Sequence, residues 1–187
     1  HREAMKVYDY LSKGLEEARY KLSFIVGRDT ANLSQKEIIR AAVETVAENT
    51  CDGVIAPLVY ALIGGAPLAF TYKMVNTMDS MLGYMNERYR HIGFFPAKTD
   101  DLFNFFPSRL TGILMCLGSA FRFDALRGFK IMVRDRHNHK SPNCAYPEGA
   151  TAGLLGIQLG GDNFYFGQLV SKPTIGDKVR LLERDDI

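Results

Sequence analysis

The sequence predicts an all-α protein, a helical bundle with broken helices and polar loops. Three observations carry that expectation. Apolar residues recur at helical spacing along several stretches, a complete helix-capping signal stands at residues 34–37, and no segment shows the alternation of a half-buried strand. One further run, residues 54–72, is 19 residues long without a charge, and it brings a lipid bilayer into consideration.

The elements follow in order. Val7, Leu11, Leu15, Ala18, Leu22 and Ile25 repeat at intervals of four and three, which predicts one amphipathic helix with Gly27 as its stop. Ser34-Gln35-Lys36-Glu37 is a capping box, with Leu33 and Ile38 placed as a hydrophobic staple. The helix it opens reaches about Thr50, with Ile39, Val43 and Val46 on its apolar side. Arg40, Glu44, Glu48 and then Asp52 follow one another at intervals of four. The uncharged run VIAPLVYALIGGAPLAFTY is long enough to reach across most of a bilayer core of roughly 30 Å. Gly64, Gly65 and Pro67 would bend or break it, so a buried, broken core helix is the alternative. Asn76–Arg90 reads as a helix capped by Thr77, and Thr99-Asp100-Asp101 as a capped, acid-rich helix start. Pro107 opens a helix through Phe121, Asp124–Asp135 is a basic amphipathic helix, and Pro147–Gln158 is a small-residue helix. Residues 136–143 and 159–163 read as loops, and the tail after Gly176 is charged.

Length and composition bound the function. With 187 residues, 47% hydrophobic and 24% charged, the chain is one domain's worth, neither a disordered tail nor a small disulfide scaffold. Lysine and arginine total 23 against 21 acidic residues, which excludes a generic nucleic-acid partner. Cys51, Cys116 and Cys144 form no C-x-x-C pair, so reduced thiols are expected.

The nucleotide-loop and zinc-helix motifs are missing. Four polar clusters stand out instead. Glu44, Glu48, Asn49 and Asp52 put three carboxylates on one helix edge, which repel unless a cation sits among them; Mg²⁺ suits oxygen ligands of this kind. A solvated acidic face is the bland alternative. Lys73, Asn76 and Asp79 follow the uncharged run, where ionisable groups beside lipid are often functional and otherwise anchor a helix. Asp100, Asp101, Asn104 and Arg109 share helical spacing suited to a metal–phosphate group. His139-Lys140-Ser141-Pro142-Asn143, with Glu148 beyond, is the fourth. His137 and His139 themselves read as a solvated turn rather than a metal site.

Read together, these clusters resemble a known family. The runs VETVAEN-x-x-DG-x-x-AP and NT-x-DSM-x-GY, then TDDLFNFFPSRLT, SPN and AGLLGIQLGG, are similar to the adenosylcobinamide-phosphate synthase family of cobalamin biosynthesis, CbiB/CobD. The resemblance covers about Arg28 to Gly176. Cys144, Gly149 and Asp162 depart mildly from the usual pattern.

The resemblance implies a multi-pass inner-membrane protein whose amino-terminal membrane helices precede this region. Residues 1–187 are then one domain forming the carboxy-terminal part of a longer chain. It implies ATP- and Mg²⁺-dependent amide formation between adenosylcobyric acid and 1-amino-2-propanol or its O-phosphate, with the active site facing the cytoplasm. On that reading Glu44, Glu48, Asp52, Asp100 and Asp101 supply metal-binding carboxylates. Arg28, Lys73 and Arg109 meet phosphate or carboxylate groups, and Asn49, Asn76, Asn104, Ser141 and Asn143, with Asp79, orient substrate. Asp79 and Glu148 are the candidates for the base. The oligomeric state is left open. A non-catalytic membrane sensor of the same superfamily and a soluble helical binding module are the alternatives.

Overall fold

Ser34 caps α3 (Gln35–Thr50) as its spacing implies. Its hydroxyl accepts from the Glu37 amide at 3.4 Å, and the Glu37 carboxylate accepts from the Ser34 amide at 2.7 Å. Leu33 and Ile38, the staple pair, are buried in one cluster with Val7, Ala18 and Leu22. The structure, a computed structural model, describes residues 2–82, 92–165 and 167–187.

The expected single opening helix is two, α1 (Arg2–Leu11) and α2 (Leu15–Leu22), separated at Ser12–Gly14. In one straight helix Val7 and Leu22 would lie about 22 Å apart. Folding back lets both bury against the same face of α3.

The opposite side of α3 packs on the carboxy-terminal half. Ile39 and Val43 join Ile131, Ala152, Ile157, Leu159 and Ile175 in a second cluster. Those residues come from α7 (Ala125–Arg134), α8 (Ala145–Leu155) and the segment after them. Asp124 caps α7 by accepting from the Arg127 amide at 2.9 Å. The residues after α8, expected as loop, hold short antiparallel strands: β1 (Leu159–Gly160) pairs with β4 (Thr174–Ile175), and β2 (Asn163–Tyr165) with β3 (Gln168–Val170). Two or three residues are too few to print an alternating pattern. The fold is therefore mostly helical, with a little strand.

Beyond Thr50 the helix continues through a π-helical turn, Cys51–Ile55, into α4 (Ala56–Leu82). Gly64 and Gly65 leave helical geometry, Gly65 with φ +65° and ψ −159°, and the chain reverses there. Tyr60 and Tyr72 stack with ring centroids 5.2 Å apart, where a straight helix would separate the residues by about 18 Å. By length and composition this is the one helix among the described residues apolar enough to cross a membrane. Its path is neither of the two expected ones. It is a hairpin rather than a straight span, and it is exposed rather than buried in a core.

Thr77 lies inside α4 and caps nothing, because the helix runs unbroken past it to Leu82. The rest of the helix expected there, 83–90, falls outside the described residues. Thr99 likewise lies inside α5 (Phe94–Phe103), its hydroxyl turned back to the Phe95 carbonyl at 2.8 Å. Asn104 then links α5 to α6 (Phe105–Gly118), near the start expected at Pro107.

Candidate functional site

Two cavities meet at Glu48. The larger, of ≈ 510 Å³, has Asp52, Asp79, Asp100 and Asp101 in its wall together with Asn104, Ser141 and Asn143. The smaller, of ≈ 230 Å³, is bounded by Arg28, Glu44, Glu48, His139, Glu148 and Lys172.

The acidic residues of the larger cavity arrive from four consecutive elements. Glu48 lies in the last turn of the capped helix α3, and the π turn re-aims Asp52 after it. Asp79 comes back on the second arm of α4, which is why the hairpin matters to the site. Asp100 and Asp101 stand on α5. An amide network holds them in register. The Asn76 amide donates to Asp52 Oδ2 at 3.3 Å and Asp100 Oδ1 at 3.4 Å, and Asn104 Nδ2 donates to Asp100 Oδ2 at 3.0 Å. Buried Tyr72 donates to Asn104 Oδ1 at 2.9 Å. From the loop before α8, Asn143 donates to the Asp101 carbonyl at 2.8 Å and the Ser141 hydroxyl to Asp101 Oδ1 at 3.3 Å.

Among the described residues these carboxylates outnumber the cations of the cavity wall, Lys98 and Lys140. Asp101 pairs with Lys98 at 3.2 Å, while Lys73 donates to Asn76 Oδ1 at 3.0 Å. Burial, then repulsion from Asp100 and Glu48, pushes the Asp52 carboxyl up to about 7. Asp79 is pushed up to about 6 by burial and by Asp100 and Asp101, and Asp100 is raised by burial. Hard oxygen donors that resist ionising together are the donor set a divalent cation such as Mg²⁺ would relieve. Asp52 and Asp100, already bridged by one amide, fit it best.

The smaller cavity is built differently. Arg28 donates to Glu44 Oε2 at 2.7 Å and to Asn163 Oδ1 at 2.8 Å, and Glu44 Oε1 accepts from the Gly160 amide at 2.8 Å. Glu44 is buried, and both of its oxygens are engaged in tying α3 to β1 and to Arg28. The structure thus does not bring Glu44 to the acidic group expected to hold metal, and Arg28 faces a carboxylate of its own chain. Glu148, in the first turn of α8, is buried; desolvation, then Glu48 and Glu44, raise its carboxyl well above the ordinary range. The two candidate bases therefore lie in different cavities, Asp79 in one and Glu148 in the other.

Asn49 is exposed and donates to the Thr45 carbonyl at 2.9 Å, yet still borders the smaller cavity. Arg109 packs its guanidinium over Phe105 and Tyr146 and donates to Asn143 Oδ1 at 3.3 Å, so it reaches the acidic cavity through Asn143.

Sequence reasoning missed His139, Lys172 and Asn163. His139 was expected in a solvated turn, but it lines the smaller cavity, with ligand atoms of Glu48, His139 and Cys144 within 4.8 Å of one another. Its Nδ1 accepts from the Ser141 amide at 3.0 Å, so a neutral ring carries its proton at Nε2 and donates there. That makes it a hydrogen-bond donor toward carboxylates rather than a ready metal ligand. Burial lowers its pKa against the opposing pull of Glu48. Its position next to Ser141-Pro142-Asn143 was the available signal. Lys172 and Asn163 had none, because only the short ladders bring them near.

Comparison with known proteins is consistent along the whole chain. The model of the family described as CobD/Cbib protein matches residues 1–187. A Clostridium tetani protein named cobalamin biosynthesis protein CobD is 62% identical over 98% of this chain and 58% of its own length. A Geobacter metallireducens protein of the same name is 60% identical over 98% of this chain and 58% of its own. A third, from Listeria monocytogenes, is 54% identical over 100% of this chain and 60% of its own. The chain thus spans a little under two thirds of these relatives. No solved structure matches it.

Proposed function

The chain belongs to the CobD/Cbib protein family, and from that premise we propose that it serves cobalamin biosynthesis as part of an ATP-dependent acid–amine ligase. The proposed substrates are adenosylcobyric acid and 1-amino-2-propanol or its O-phosphate, joined as an amide. The proposed setting is a multi-pass protein of the inner membrane with its site on the cytoplasmic side, where ATP is found. The observation that carries the reading is the convergence of Asp52, Asp79 and Asp100 on one cavity where, among the described residues, carboxylates outnumber lysines.

A carboxylate is a poor electrophile, so its oxygen first takes the terminal phosphoryl group of ATP and ADP leaves. The amine then forms the C–N bond and phosphate departs. Mg²⁺, when bound, would screen the phosphate charge. Asp52 and Asp100 would hold it, with Asn76 and Asn104 fixing their rotamers. Asp101, tied to Ser141 and Lys98, stands at the same wall. An anionic group in the cavity would meet Asn143, which Arg109 holds from behind. The attacking amine must lose a proton. Asp79 faces the acidic cavity with a carboxyl titrating near 6, which suits a proton acceptor at neutral pH.

The test uses the full-length protein reconstituted in membrane. ATP consumption is expected only when both the corrinoid acid and the amine are present, with one amide formed per ATP. Asp52→Asn is expected to raise the Mg²⁺ requirement by about tenfold or more, a loss of ~1.4 kcal/mol. Folded protein that makes no amide with either form of the amine overturns the assignment.

A further inference from the structure

The hairpin of α4 offers something beyond the acidic cavity it completes. Its first arm, 56–63, leaves the body of the protein, and its second, 66–82, returns. Both are anchored at one level: the Tyr60 hydroxyl donates to the Phe103 carbonyl at 2.7 Å, and the Tyr72 hydroxyl to Asn104. Tyr72 also reaches Asp52, 20 residues earlier, at 3.5 Å, so the chain enters and leaves the hairpin side by side. Beyond the tyrosines the tip is bare. Leu62 is 88% exposed and Phe70 71% exposed, and Ile63 is exposed with them.

The physical character of the exposed part decides its occupant. A helix facing another protein shows one apolar stripe and a polar back. This hairpin has no polar back, since residues 54–72 carry no charge on any face. A segment apolar all round is stable only inside a protein or inside lipid, and the described residues leave this one uncovered. Charge returns abruptly at both ends, with Asp52 before the run and Lys73 after it. From the tyrosine level to the tip is one turn on the first arm and about two on the second, roughly 6–10 Å, well short of a 30 Å hydrocarbon core.

We propose that residues 54–72 form a re-entrant hairpin that dips into one leaflet of the bilayer and does not cross it. Both of its ends, and the acidic cavity between them, then lie at the same membrane surface. This holds whichever reaction the cavity performs.

The experiment uses the full-length protein in phospholipid vesicles, with its other reactive thiols replaced. A nitroxide placed at Leu62→Cys or Phe70→Cys is expected to be relaxed strongly by oxygen and weakly by a water-soluble nickel chelate. Gly53→Cys and Ser80→Cys are expected to react with a membrane-impermeant maleimide from the same side. Reaction of those two sites from opposite sides would mean a span and overturn the proposal. Strong nickel relaxation at position 62 or 70 would place the tip in water, and weak relaxation by both agents would place it under protein; either result overturns it. The two tip positions are independent, so a variant that fails to fold leaves the other to decide.

Discussion

Arg28 and Glu44 show how one hydrogen-bond pattern changes a residue's assignment. On the family resemblance, Arg28 was expected to meet phosphate or carboxylate groups and Glu44 to bind metal. In the fold they neutralise each other, with Arg28 held between Glu44 and Asn163 and with Glu44 receiving the Gly160 amide. Burial of the pair, side chains 11% and 5% exposed, makes its partners interdependent. Arg28→Ala leaves the buried Glu44 with only Arg40, 4.0 Å away, and the Gly160 amide to compensate it. We expect a loss of about 3–5 kcal/mol in stability by denaturant unfolding, with Arg28→Lys losing less. A fall in ATP affinity at unchanged stability would instead restore the ligand role to Arg28. Asp52 and Asp100, from two separate motifs, meet in one cavity wall, because short side chains close to the backbone go where their helices go.

At the level of elements, the α7–α8 contact depends on backbones that nearly touch. A Cβ on Gly153 would stand 2.7 Å from both the Arg127 carbonyl oxygen and the Gly128 Cα. Neither is the movable end of a side chain, so Gly153→Ala must push the helices apart. A cost of about 1–3 kcal/mol is expected, read as a lowered Tm. Gly118→Ala, which has open space, serves as the comparison. The capping box at Ser34 was legible because caps are local: four consecutive residues contain the whole interaction. The break at Ser12–Gly14 was not, since the apolar periodicity runs through it. What favours two helices is the joint burial of Val7 and Leu22 against Ile38, a contact no periodicity records. Thr77 and Thr99 were misread as caps for the same reason. A hydroxyl before a helical pattern resembles a cap until the preceding residues are known to be helical too.

For the molecule as a whole, Arg134 and Asp135 at the end of α7 hold the carboxy-terminal segment, Arg134 through Asp177 at 2.9 Å. Asp135 accepts the Gly176 amide at 2.7 Å and pairs with Arg134, which lowers its carboxyl below the ordinary range. A carboxyl depressed in the folded state contributes stability that is fully present above its unfolded value, near 4. That contribution is lost as pH falls through the lower folded value. Acid unfolding is therefore expected to steepen below about pH 4, and Asp135→Asn to flatten that part of the curve; an unchanged acid limb would contradict it. The helical class, the capped central helix and the break at Gly64–Gly65 were determined by the sequence alone, because each is written in neighbouring residues. So was the set of asparagines and aspartates about the acidic cavity, carried by long family motifs. Only the tertiary structure decided that the uncharged run doubles back, that Glu44 serves Arg28, and that His139 and Lys172 face the site. Each of those depends on groups far apart in the chain, and a chain's local pattern holds no record of the partner that folding will bring.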